Sequence, residues 1–219
     1  MSKTPDYPSD CEITAGLRQQ AAARSGESRR GYAWKNCLPR AAKVELLLLD
    51  VDGVLTDSTI IFGSGADSEA KGFSTRDGLG LRLLREAGVE TGIITARRSE
   101  AVARRAENLG LRHVFQGADN KLVALEEILA VQQLAPEQVA YMGDDWLDLP
   151  VLVRVGLAAA VADAVAEVQA VAHYVSRQPG GRGAVREICE LLLEGRGQYQ
   201  QRLAAYCPQH PFLKADQRR

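Results

Sequence analysis

Two aspartates, Asp50 and Asp52, follow the apolar run Leu46-Leu47-Leu48-Leu49 and open the segment Asp50-Val51-Asp52-Gly53-Val54-Leu55-Thr56. Carboxylates at i and i+2 just past a buried strand project into the same loop crevice. Such a pair needs a countercharge, and a hard divalent cation with oxygen ligands supplies it. A carboxylate can attack phosphorus to give an acyl phosphate, which divides a hydrolysis into two easier steps. The second carboxyl can protonate the leaving oxygen and later activate water. Gly53 lets the backbone turn sharply and approach a ligand. Seen alone, the same pattern also describes a polar loop in which Asp52 merely starts a turn.

Three further segments carry groups of matching chemistry. Ile93-Ile94-Thr95 ends in a hydroxyl that can donate to a phosphate oxygen, although a helix-capping Thr would look the same. Asn120-Lys121 opens a helical pattern, where a lysine can reach a phosphate and face a nucleophilic carboxylate. The plain alternative is a surface lysine. Gly143-Asp144-Asp145-Trp146-Leu147-Asp148 adds three acids, with Asp144 and Asp148 on one helical face. Acids at a helix start also complement the helix dipole with no catalytic role.

These groups meet only if the intervening chain brings them together. From Val44 onward, apolar strand-like runs alternate with helical patterns. Strands are expected over residues 44–50, 89–95, 113–115, 138–142, 157–161 and 173–175. Helices are expected over 78–87, after Ser99 as a cap, over 120–134 and over 182–193. Residues 59–62 and 71–73 flank a turn-rich stretch at 63–68 and read as a hairpin. Alternation of this kind predicts an α/β fold with a parallel sheet covered by helices on both faces. Ligands in such sheets bind beyond the carboxyl ends of the strands. That rule selects Asp50, Thr95 and Asp144, each at a predicted strand end. No span between Asp50 and Thr95, or between Lys121 and Asp144, could hold a separate cap domain.

The chain has 219 residues, 46% hydrophobic and 25% charged, with a formal net charge of -1. That composition suits one domain with a proper core and gives no electrostatic case for nucleic acid or membrane binding. No apolar run approaches the roughly 20 residues of a membrane span. Cys11, Cys37, Cys189 and Cys207 form no CxxC pair and no metal-ligand spacing with His113, His173 or His210. They read as reduced thiols of a cytoplasmic protein. Residues 1–43 carry eight basic against four acidic side chains. Without apolar periodicity or a signal-peptide core, they read as a disordered extension or as sequence before the true start. One folded domain is then expected over residues 44–194, with 195–219 as a featureless tail.

Asp50, Asp52, Thr95, Lys121 and Asp144, in this order and at these strand ends, resemble the haloacid-dehalogenase-like phosphohydrolases. The match is finer still. Asp50-Val-Asp-Gly-Val-Leu-Thr-Asp57, Arg76-Asp77-Gly78, Ala140-Tyr-Met-Gly-Asp-Asp145, Val161-Ala-Asp163 and Gly180-Gly-Arg-Gly-Ala-Val-Arg-Glu187 resemble the 3-deoxy-D-manno-octulosonate 8-phosphate phosphatase family. The resemblance covers residues 44–193. It implies a capless Rossmannoid sheet with a small β-hairpin insertion, and a role in lipopolysaccharide sugar synthesis. It also implies Mg²⁺ held by the Asp50 carboxylate, the Asp52 main-chain carbonyl and Asp144. Asp50 would be the nucleophile and Asp52 the acid/base, with Thr95 and Lys121 on the phosphoryl group. Substrate contacts would fall on Ser74, Thr75, Arg76, Asp77, Gly78, Arg82, Arg97, Arg105 and Lys121. Guanidinium groups suit a substrate that carries both a phosphate and a carboxylate. The resemblance further implies a homotetramer, with the hairpin at 59–73 packed between subunits.

The sequence departs from that family in two places. Ala96 stands where Gly is usual, and the stretch 63–68 is a residue longer than in typical members. Three alternatives stay open at this stage. The substrate could be a nonulosonate (sialic-acid-like) 9-phosphate, which the motifs do not separate from the octulosonate. The chain could be a non-catalytic oligomeric module, against which the intact acidic and basic set argues. It could also be a phosphotransferase or mutase, which usually has a cap to exclude water.

Overall fold

The structure is a computed structural model that describes residues 31–64 and 69–206. The expectations for residues 1–30, for the hairpin loop at 65–68 and for residues 207–219 fall outside the described residues. In chain order the elements are helix α1 (Tyr32–Ala41), strand β1 (Leu46–Leu49), the short strands β2 (Ile61–Phe62) and β3 (Glu69–Ala70), and helix α2 (Thr75–Glu86). They continue with β4 (Glu90–Thr95), α3 (Glu100–Leu109), β5 (His113–Gln116), α4 (Lys121–Gln132) and β6 (Val139–Gly143). The chain closes with α5 (Leu149–Leu152), β7 (Leu157–Ala160), α6 (Ala166–Val171), β8 (Tyr174–Val175), α7 (Ala184–Gly195) and α8 (Tyr199–Tyr206).

Six parallel strands pair in the order β5-β4-β1-β6-β7-β8. The unbroken leucine run of β1 reflects its central place. All four of its side chains are buried, as expected of a strand covered on both faces. Helices α1, α7 and α2 pack side by side in one layer, while α4, α5 and α6 contact one another and the sheet as the other. The chain runs outward from β1 through β4 to β5, then returns to β6 on the other side of β1. The switch in direction leaves a crevice at the carboxyl ends of β1 and β6, where loops diverge. Between β1 and β4, ahead of the crossover helix α2, the described residues add the antiparallel pair Ile61↔Ala70 and Phe62↔Glu69. The fold is thus the α/β, capless, hairpin-bearing sheet anticipated from the alternation.

Several boundaries are corrected. Packed structure is present ahead of residue 44. Helix α1 lies across the layer next to α7, with Trp34, Cys37 and Ala41 buried. Trp34 meets the Tyr174 ring edge-on at 5.8 Å, its indole N–H donates to Glu194 Oε2 at 3.1 Å, and Arg40 donates to the Gly156 carbonyl at 2.9 Å. Pro39 inside the helix and the basic residues between the three buried positions mask its apolar stripe. The tail is corrected as well. Helix α8 is tied to the end of α2, where Arg202 donates to the Glu86 carbonyl and Arg82 to Tyr206 Oη. Helix α2 begins at Thr75, ahead of the expected 78, because Ser74 Oγ accepts from the Asp77 N–H at 3.3 Å and caps it. Ser99 precedes α3 but makes no side-chain cap; its own N–H donates to Gln116 Oε1 at 2.8 Å. The second hairpin strand is Glu69–Ala70 where 71–73 was expected.

Candidate active site

The carboxyl ends of β1, β4 and β6 bring Asp50, Thr95 and Asp144 to one rim, and the start of α4 adds Lys121. Asp50 is 7% exposed and Lys121 is 3% exposed, so the pair meets in a largely dry site. Lys121 Nζ lies 2.9 Å from Asp50 Oδ1 and 2.6 Å from Asp148 Oδ1. Burial pulls the ammonium down, but the charges of Asp50 and Asp148 outweigh it and hold Lys121 above its ordinary value. Thr95 is buried at the end of β4, and its hydroxyl accepts from the Arg97 N–H at 3.4 Å.

Asp148 is fully buried and completely engaged. Its Oδ1 accepts from Lys121 and from the Tyr141 hydroxyl at 2.6 Å each, and its Oδ2 accepts from the Asp144 and Asp145 N–H groups at 2.9 and 3.2 Å. It therefore shapes the loop that presents Asp144. Sequence reasoning noticed Asp148 on the same face as Asp144 but gave it no role. Tyr141 was missed outright, because a tyrosine inside an apolar strand reads as core. Burial and the Asp148 carboxylate hold its hydroxyl far above the ordinary value, so it acts as a permanent donor.

The set fits a Mg²⁺ ion. Asp50, Asp144 and Asp148 each offer a carboxylate oxygen, all within 4.8 Å of one another. Asp148 is saturated by hydrogen bonds, whereas Asp144 Oδ1 is buried with no hydrogen-bond partner. A buried oxygen left that way is expensive unless a cation completes it. Hard carboxylate oxygens are the donors Mg²⁺ takes. Asp50 and Asp144 would hold it, and the bound ion would neutralise charge on a phosphoryl oxygen. Gly53 belongs to the same arrangement, since at φ +96° a Cβ there would lie 2.0 Å from Asp144 Oδ2.

These carboxyls carry a pH signature. Burial, only partly offset by Lys121, raises Asp50 from 3.8 to about 6. Burial and then the charges of Asp50 and Asp148 raise Asp144 to about 8. The metal-free fold binds protons that the unfolded chain releases between these values. The contribution of these two groups to stability is therefore fullest below the ordinary carboxylate range and is lost as pH rises through about 6 and about 8. Mg²⁺ needs the ionised forms, so its affinity rises over the same window with release of protons. A melting series from pH 5 to pH 8 should show Tm falling in chelator and the increment from Mg²⁺ growing. At 100 times Kd that increment is worth about 2.7 kcal/mol. A pH-independent increment would contradict the assignment.

Asp52 lies outside the carboxylate cluster. Its side chain is held by Lys71, whose own side chain is fully buried, and Arg97 Nε stands 3.7 Å from Asp52 Oδ2. Both cations also pair with Glu69, at 3.4 Å from Lys71 and 2.9 Å from Arg97. The hairpin thus delivers Lys71 and Glu69 to the crevice, which no sequence motif signalled. Arg105 stacks on Phe73 at 5.6 Å and donates to the Ser74 carbonyl at 3.2 Å, over Gly78. Thr75 and Arg76 are exposed in the first turn of α2.

Two expected substrate contacts are not brought to the crevice. Asp77 is 1% exposed, and its carboxylate accepts from the backbone at the start of α7. Arg82 is engaged by Tyr206 at 2.8 Å and Glu86 at 3.8 Å on the outer side of α2. A polar residue in a helical first turn and an exposed arginine look alike in sequence whether they serve ligand or scaffold.

A family model described as haloacid dehalogenase-like hydrolase matches residues 113–188. Over 156 residues, 71% of this chain, it is 50% identical to 3-deoxy-D-manno-octulosonate 8-phosphate phosphatase of Yersinia pestis and covers 83% of that protein. The chain belongs to the 3-deoxy-D-manno-octulosonate 8-phosphate phosphatase family. The family member from Escherichia coli K12 is 47% identical over 160 residues, 85% of its length. Among solved family structures, that from Moraxella catarrhalis, in complex with magnesium ion, phosphate ion and KDO, superposes with a TM-score of 0.76. It is 37% identical, with 78% of this chain and 98% of that one covered. The Y. pestis crystal structure gives a TM-score of 0.73 at 47% identity, with 75% and 89% covered.

Proposed function

We propose that the chain hydrolyses 3-deoxy-D-manno-octulosonate 8-phosphate to the free sugar acid and phosphate, with the phosphoryl group carried briefly on Asp50. One observation carries the reading. Asp50 is buried against Lys121 at 2.9 Å, with Asp52 two residues on, in a chain half identical to a phosphatase of that name. The Asp50 carboxylate attacks phosphorus in line, and the bond from phosphorus to the sugar oxygen breaks. Asp52 gives that oxygen its proton. It then takes a proton from water, whose oxygen attacks phosphorus and returns Asp50 as a carboxylate. Lys121 and the Thr95 hydroxyl face the transferring oxygens. Arg97 and Arg105 supply guanidinium groups for the sugar acid's anionic ends. The Moraxella catarrhalis relative, in complex with magnesium, phosphate and KDO, supports both the metal and the sugar acid.

A homotetramer in the cytoplasm belongs to this reading. Ile61 and Phe62 on the hairpin are 57% and 76% exposed, an apolar surface suited to packing between subunits. Cys37 and Cys189 are free thiols, as a reducing compartment requires. Among the described residues no helix is long and apolar enough to cross a membrane.

Phosphate release from octulosonate 8-phosphate, with Mg²⁺ and then with chelator, tests the substrate. Fast, chelator-sensitive release is expected, with at least about tenfold preference in kcat/KM over a nonulosonate 9-phosphate, a difference of roughly 1.4 kcal/mol. A preference for the nine-carbon ester would keep the mechanism and replace the substrate.

A further inference from the structure

The buried Asp77 carboxylate stands at one end of a continuous chain of contacts that ends behind the Asp50–Asp52 loop. Its Oδ1 accepts from the Arg186 N–H at 2.7 Å, and its Oδ2 from the Gly183 N–H at 3.2 Å. Those two donors close the turn that leads from residues 180–183 into α7. At the other end of that segment, the Gly180 N–H donates to Asp163 Oδ1 at 3.0 Å and the Gly181 N–H donates to the Val54 carbonyl at 2.9 Å. The backbones are in direct apposition there. A Cβ on Gly180 would lie 1.7 Å from the Gly53 carbonyl oxygen, and one on Gly181 would lie 2.6 Å from the Asp57 nitrogen. The loop they touch is wound tightly, with the Val54, Leu55 and Thr56 N–H groups all directed at the Val51 carbonyl at 3.0–3.2 Å. Little of its geometry can change without the strap moving too.

We infer that Asp77 is a positioning residue, which anchors residues 180–183 as a strap behind the loop that carries Asp52. The inference rests on the reading of Asp50 and Asp52 as the reacting groups. The strap's two ends are fixed by different acids, Asp77 at α7 and Asp163 at Gly180, and its Gly180 and Gly181 bear on the turn at residues 53–57 that follows Asp52. Asp77 also lies in the first turn of α2, next to Arg76 and beneath the Ser74 carbonyl that Arg105 grips. One carboxylate therefore links the arginine-bearing rim to the acid/base loop. A misplacement of about 1 Å at reacting groups costs on the order of 100-fold in rate.

The test is steady-state phosphate release by the full chain with Mg²⁺, with kcat and KM measured separately beside Tm. Wild type and Asp50→Asn come first, to establish Asp50-dependent turnover. Asp77→Asn, Gly180→Ala and the double variant follow. Asp77→Asn keeps the shape but turns one acceptor into a donor facing an N–H. Gly180→Ala presses on the Gly53 carbonyl from the other end of the strap. Each is expected to lower kcat by roughly 10- to 100-fold with KM within about twofold of wild type. The double variant should lose less than the product of the two, because both act through one strap. A raised KM with unchanged kcat in Asp77→Asn would place Asp77 on the substrate and overturn the inference. So would a lowered Tm with unchanged kcat, or fully multiplicative losses. If Asp77→Asn does not fold, normal kcat in Gly180→Ala overturns it alone. Wild type without Asp50-dependent turnover would remove the underlying reading and the inference with it.

Discussion

Asp50→Asn will abolish turnover and leave the fold in place. The amide has no lone pair nucleophilic enough to open a phosphomonoester, so no phosphoryl-enzyme forms and kcat falls by on the order of 10³-fold or more. The fold is spared for a local reason. Asp50 is 7% exposed, and burial holds its carboxyl at about 6, so the charge itself is a liability in the metal-free protein. An amide of the same shape removes that liability. The backbone N–H of residue 50 still donates to the Met142 carbonyl at 3.0 Å, and Lys121 still has Asp148 at 2.6 Å. In chelator the variant should melt within a few degrees of wild type, while its gain from Mg²⁺ should shrink because one ligand oxygen has lost its charge. Phosphate release, acid-quench trapping of phosphorylated protein and calorimetry read the three quantities. Retained turnover would show that the reaction does not pass through Asp50.

Lys121→Met should cost both activity and stability, and its stability loss should depend on pH. Lys121 is the cation placed directly between the buried Asp50 and Asp148 carboxylates. Methionine fills a similar volume but leaves two acids facing each other, with the Tyr141 hydroxyl and the Asp144 and Asp145 N–H groups still donating to Asp148 but no cation between the carboxylates. Breaking a buried pair by removing one partner costs about 3–5 kcal/mol. The acids can escape by taking up protons, so the deficit is largest above the raised carboxyl range and shrinks as pH falls. Tm differences between variant and wild type, measured in chelator, should therefore be greater at pH 8 than at pH 5. Mg²⁺ should recover part of the loss at pH 8, since it returns a positive charge to Asp50, one of the two acids that Lys121 faces. A deficit that is flat with pH would mean Lys121 stabilises by packing alone. Turnover should drop by roughly 100- to 1,000-fold, the usual loss when a group facing the transferring charge is removed.

Much of this site was legible in the chain because strand ends are legible. A run of four leucines bounded by acids marks β1, and the rule that ligands gather at the carboxyl ends of parallel strands then places Asp50, Thr95 and Asp144 together. Lys121 is marked by Asn120 ahead of it, whose side chain accepts from the Leu122 N–H at 3.1 Å and starts the helix. The hairpin was legible as a turn-rich stretch between short β-like pieces, though its second strand lies at Glu69–Ala70.

What the sequence determined by itself is therefore the element order, the sheet, and the acids and the lysine that its strand ends and one helix start present. These follow from periodicity and local capping, which act over a few residues. The tertiary structure decided which partner each polar group meets. Lys71 folds back onto Asp52 across the hairpin, Tyr141 turns its hydroxyl to Asp148, and Asp77 turns into the start of α7. It also recruited α1, whose Trp34 and Cys37 find their partners more than a hundred residues away, on β8 and α7 and at His173. A buried polar or aromatic group is defined by the partner that satisfies it, and a partner distant in sequence leaves no periodic trace.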